Sequence, residues 1–64
     1  MRQPEPGDVV TYLTLMGTER TVRVLGTAEI AGQPAFDGEI LGGRADGLRV
    51  WGYVEDIQSF QVAP

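Results

Sequence analysis

Along much of the chain, apolar and polar residues alternate with a period of two. Val22 and Val24 alternate with Thr21, Arg23 and Leu25. Phe36, Gly38 and Ile40 alternate with Asp37, Glu39 and Leu41, and Leu48, Val50, Gly52 and Val54 alternate with Arg49, Trp51 and Tyr53. Successive side chains of a strand point to opposite faces, so this pattern predicts half-buried β-strands. No window of a dozen residues free of Gly and Pro carries a helical stripe.

The turn residues divide the chain into five strands. Pro6-Gly7-Asp8 launches the first, Val9 to Met16, which Gly17-Thr18-Glu19 ends. Arg20 to Leu25 is the second, interrupted by Gly26 and resumed over 27–31, so one long strand with a bend or bulge is expected. Gly32-Gln33-Pro34 turns the chain into a third strand, Ala35 to Leu41. Asp37-Gly38 is itself a good hairpin turn. The turn supplied a few residues earlier favours a strand that runs through it. Residues 42–47 form a Gly-rich loop, Leu48 to Val54 a fourth strand, and Glu55-Asp56-Ile57-Gln58 one 3-10 turn. Ser59 to Ala63 closes the set. The expected fold is all-β: a small five-stranded closed barrel over residues 8–64, behind an N-terminal extension, 1–7. Closure would remove exposed strand edges.

Strand count, bent second strand and 3-10 turn together resemble the Src-homology-3-like (SH3-like) barrel superfold. The ending Gly52-Tyr53-Val54 … Phe60-Gln61-Val62-Ala63-Pro64 is similar to the close of its eukaryotic peptide-binding members. The first strand lacks the Ala-Leu-Tyr-Asp-Tyr pattern that lines the proline groove there. Glu55-Asp56-Ile57-Gln58-Ser59-Phe60 stands in place of the Pro-Ser-Asn-Tyr step, and no tryptophan pair is present. The opening Pro6-Gly7-Asp8-Val9-Val10 resembles bacterial members, many of them accessory or nucleic-acid-associated barrels. The superfold hosts many functions, so the resemblance implies architecture more than activity.

Composition narrows the chemistry. The 64 residues contain no Cys and no His, which removes thiolate chemistry, the usual general base and the usual metal ligands. Ser59 is the single serine. A barrel this small has a packed interior with little room for an active site. Asp37, Glu39, Asp46, Glu55 and Asp56 do not follow a calcium-loop spacing and read as a solvated acidic face. Gly42-Gly43 and Gly47 lack the lysine and following helix of a phosphate loop. The expectation is a non-catalytic chain with no cofactor and no metal site.

The net charge is −4, and it is uneven. Residues 1–25 hold three acids and three Arg, netting zero, whereas residues 26–64 hold six acids and two Arg, netting −4. That sign disfavours a nonspecific nucleic-acid binder. No apolar run spans a membrane and no secretory apolar core opens the chain, so a cytoplasmic protein without membrane partners is expected. All five cations are Arg, in keeping with a GC-rich bacterial or phage source.

The candidate contact residues cluster in the fourth strand. With Leu48, Val50 and Val54 inward, Arg49, Trp51 and Tyr53 stand in a row on the outer face, and Trp, Tyr and Arg dominate binding hot spots. In the opposite register Trp51 is the largest core side chain, which the general burial of large aromatics favours. Tyr12 is equally two-sided. It joins Tyr53 on the surface if Val9, Thr11 and Leu13 face inward, and otherwise lies at the core edge with its hydroxyl satisfied. Arg23 and Arg44 flank the patch. The leading functional expectation is a protein–protein interaction or regulatory module, with homo-oligomerisation through the same patch as one version. One alternative is a nucleic-acid-binding accessory barrel using Arg20, Arg23, Arg44 and Arg49. Another is a non-catalytic subunit of a larger enzyme.

Overall fold

A computed structural model describes residues 3–61. Five antiparallel strands are joined in one sheet: β1 (Val9–Leu13), β2 (Glu19–Ile30), β3 (Gln33–Ile40), β4 (Arg49–Tyr53) and β5 (Ile57–Gln61). A 3-10 turn, Val54–Asp56, leads from β4 into β5. The sheet order is β4-β3-β2-β1-β5. The expected closed barrel is not formed. Strands β4 and β5 lie at opposite edges, and no ladder joins them among the described residues.

Strand β2 is the backbone of the sheet. Residues 19–23 pair β1 and residues 22–30 pair β3, with a register shift between Val24 and Gly26. The bend expected at Gly26 is this bulge, which lets one long strand serve two directions of pairing. Asp37-Gly38 makes no turn and stays within β3. A Cβ at residue 38 would stand 2.7 Å from the Arg23 carbonyl oxygen, so only glycine lets the two strands approach here.

Local chemistry moves several boundaries. The first strand ends at Leu13 rather than Met16. Thr14 N–H donates to Thr18 O at 2.8 Å, Gly17 N–H donates to Thr14 O at 2.9 Å, and the Thr14 and Thr18 hydroxyls lie 2.9 Å apart. These bonds fold residues 14–18 into a tight hairpin tip. The β2–β3 turn is Ala31-Gly32, not 32–34, because both residues adopt positive φ (53° and 77°), the twist a two-residue hairpin needs. Pro34 therefore lies inside β3, opposite Glu29. The fourth strand spans Arg49–Tyr53 rather than 48–54, and the 3-10 turn begins one residue earlier than expected. The fifth strand begins at Ile57, and the predicted end of it at Val62 and Ala63 lies outside the described residues.

The core is Val10, Tyr12, Val22, Val24, Phe36, Ile40, Val54 and Ile57, with Ala45, Val50 and Phe60 packed against it. Tyr12 and Phe36 meet edge to face, with ring centroids 5.1 Å apart. Residues 4–8 are tied to this body. Pro4 is buried, and Gly7 N–H donates to Val24 O. No helix among the described residues is long and apolar enough to cross a membrane.

Candidate protein-binding cleft

Strand β4 puts its even-numbered residues inward. Gly52 is buried, Val50 is partly buried, and Trp51 is 47% exposed. Trp51 is thus not the core aromatic that general burial habits favour. The reason lies at residue 52, where the strand passes so close to Tyr12 and Phe36 that no side chain fits. Phe36 and Tyr12 already fill the space beneath β4, and Trp51 is turned out. Leu48, expected inward on the same parity as Val50, lies beyond the end of β4 and is 59% exposed.

On the outer face Trp51 packs edge to face against Tyr53, with centroids 5.2 Å apart and planes at 90°. Each ring holds the other in place and limits its rotamers, so the pair forms a rigid apolar wall. Tyr12 does not join them on the surface. It is 3% exposed, with its ring under Gly52.

The other predicted patch residues separate. Arg23 Nη1 donates to Glu39 Oε1 at 3.1 Å, and Arg49 Nη2 donates to Asp37 Oδ2. Register explains both pairs. Arg23 stands directly opposite Glu39, and Asp37 lies diagonally across from Arg49. These two cations are neutralised within a charged ladder across β2, β3 and β4. Arg44 stands in the Gly-rich loop, exposed and away from the aromatic pair. Asp46 stabilises that loop by accepting Gly42 N–H at 2.6 Å.

What the structure brings together is a cleft of about 270 Å³ between β4 and the β1–β2 hairpin. Engineered apolar cavities of ~150 Å³ hold benzene, so this one has room for a large side chain. Trp51, Gly52 and Tyr53 form one wall, Tyr12 the floor, and Leu13, Leu15, Met16 and Arg20 the far side. Leu15 and Met16 are 87% and 89% exposed, the most exposed large apolar side chains among the described residues. Contiguous bare apolar groups on a small domain mark contact sites. Arg20 and Asp56 flank the cleft. Their backbones sit on either side of Tyr12, since Tyr12 pairs with Arg20 on β2 and with Ile57 on β5.

Leu15, Met16 and Asp56 were not among the sequence candidates. Assigning Leu15 and Met16 to a strand hid them. The available signal was their adjacency: neighbouring residues on a strand cannot both face the core, and Gly17 follows immediately. Comparison with known proteins finds no match among family models, curated proteins or solved structures. The site is therefore read from its own residues.

Proposed function

We propose that the chain is a non-catalytic protein-interaction module, of the SH3-like kind, whose contact face is the cleft between Trp51-Tyr53 and the Leu15-Met16 hairpin tip. The observation that carries this reading is convergence. The two most exposed large apolar side chains, from the β1–β2 tip, meet the outward Trp-Tyr pair of β4 on the same cleft. Nothing in the folding of this sheet requires those side chains to be bare, and covering them with a partner's apolar surface is favourable. Trp and Tyr supply large contact area with few rotors to freeze.

A nucleic-acid role has less support. Of the four arginines that would form its basic stripe, Arg23 and Arg49 are engaged by carboxylates, and the net charge is −4. On this reading the module works in the cytoplasm, and its arginine-only cations accord with a bacterial or phage source.

The test is capture from nuclease-treated host lysate with the wild-type chain and a Leu15→Ser/Met16→Ser double variant, both shown folded by circular dichroism. A partner retained by wild type and lost by the variant is expected. Equal capture by both proteins, or capture that vanishes on nuclease treatment, overturns the reading.

A further inference from the structure

The cleft has a second property, in its backbone. Ile40 N–H donates to Leu48 O at 2.9 Å, and the β3–β4 register runs on from there through Glu39–Arg49, Gly38–Val50, Asp37–Trp51 and Phe36–Gly52. In an antiparallel pair the hydrogen-bonded positions alternate. Val50 and Gly52 therefore point their N–H and C=O groups at β3, and Trp51 points both of its groups the other way. Strand β4 ends the sheet on that side. Strand β4 is laddered to β3 alone, and no turn or loop hydrogen bond involves the Trp51 backbone among the described residues.

The cleft lies on this same free edge. It touches Trp51 and Tyr53, whose side chains stand on the outer face, and also Tyr12, whose ring lies under Gly52 on the inner face. A space that meets both faces lies beside the strand, in the direction of the missing neighbour. Its far side is the hairpin tip.

We infer that the open edge of β4 accepts an extended segment of a partner protein as a sixth strand, hydrogen-bonded to Trp51 and seating an apolar side chain between Tyr12, Met16 and Leu15. This rests on the cleft being a protein-binding face and specifies how it binds. In strand addition the main chain supplies affinity and alternate side-chain pockets supply specificity. The free N–H and C=O of Trp51 are the main-chain half of that device, and the apolar cleft is the pocket half. Charge specifies the segment further. Asp56 lines the cleft in the turn just past β4 and Arg20 lines it on the β2 side, no ion pair engages either among the described residues, and the net charge of −4 favours a basic segment over an acidic one. The segment is thus apolar at alternate positions and ends in Lys or Arg beside Asp56. A second copy of this chain fits less well. Two chains of charge −4 repel, whereas a basic segment is attracted.

The experiment uses the full chain, labelled for NMR, and blocked heptapeptides of alternating leucine and threonine that end in lysine, glutamine or glutamate. The lysine peptide is expected to bind and to slow hydrogen exchange of the Trp51 amide by about tenfold or more at saturation. N-methylation of the peptide nitrogens that would face Trp51 is expected to weaken binding about tenfold per lost hydrogen bond. The glutamate peptide should bind most weakly of the three. Binding that shifts the Leu15 and Met16 methyl signals, yet leaves Trp51 exchange unchanged and tolerates N-methylation, overturns strand addition while the protein-binding reading stands. No binding by any of the peptides overturns it as well. Protection of the Trp51 amide that grows with protein concentration in the absence of peptide assigns the edge to a second copy and overturns the partner-segment assignment.

Discussion

Gly52 rests directly on the ring of Tyr12. A Cβ at residue 52 would stand 2.8 Å from Tyr12 Cε2, 2.9 Å from Cδ2 and 3.0 Å from Phe36 Cζ. This contact links core to surface: it lets the ring fill the space under β4 and sends the next side chain, Trp51, outward into the cleft wall. The ring is enclosed by core neighbours and is 3% exposed, so it cannot yield cheaply. Gly52→Ala is therefore expected to destabilise the protein by about 1–3 kcal/mol, the range for overpacking a filled core. Urea unfolding followed by tryptophan fluorescence reads it. A Gly52→Ala protein as stable as wild type would show that Tyr12 is free to move.

Trp51 and Phe36 should behave oppositely although both are large aromatics. Phe36 is fully buried and its truncation to Ala is expected to cost about 3–5 kcal/mol, enough to unfold a domain of this size. Trp51→Ala removes a half-exposed ring and should leave a folded protein, with its principal loss in partner binding. Thermal unfolding of the two variants by circular dichroism distinguishes them. A Trp51→Ala chain that fails to fold would place Trp51 in the core and remove the cleft wall.

The Arg49–Asp37 pair is a surface contact, with side chains 70% and 39% exposed. Exposed ion pairs contribute about 0–1 kcal/mol. Arg49→Ala should thus change stability by less than about 1 kcal/mol, and the double variant with Asp37→Ala should be no worse than the sum of the singles. A double-mutant cycle in urea measures it, and a coupling well above that range would mean the charged ladder is structural.

Ala31 holds φ of 53° without being glycine. A left-handed residue with a Cβ costs roughly 1–2 kcal/mol, and the freedom of glycine in the unfolded chain takes back part of any gain. Ala31→Gly is expected to raise stability by up to about 1 kcal/mol. A lower denaturation midpoint for that variant would show that Ala31 contributes more by restricting the unfolded chain than its strain costs.

Much of the architecture is legible in the residues themselves. Alternation over 21–25, 36–41 and 48–54 marks strands because a strand turns its side chains over at every step. Gly26 within an apolar run marks a bulge, and the Gly-rich stretch 42–47 marks a loop, because these are local demands on φ and ψ. The hairpin tip at Thr14–Thr18 was less legible. Its closing bonds run between side chains as well as backbone, and its apolar residues imitate a strand.

Which face β1 and β4 turn to the core was decided by tertiary structure. In β1 both parities carry apolar residues, Val9 and Leu13 on one side and Val10 and Tyr12 on the other, so local pattern has no preference. The choice comes from fit: Tyr12 meets Phe36 edge to face, and Gly52 leaves room for its ring. Whether the sheet closes was likewise undetermined along the chain. Closure depends on how far five strands curve and on where the 3-10 turn delivers β5, and no β4–β5 ladder forms among the described residues. The sequence by itself determined the strands and turns, through the local stereochemistry of the backbone. The tertiary structure decided the open edge, the outward Trp51 and the cleft beside it, because long-range packing selects one face of each strand and one partner for each edge.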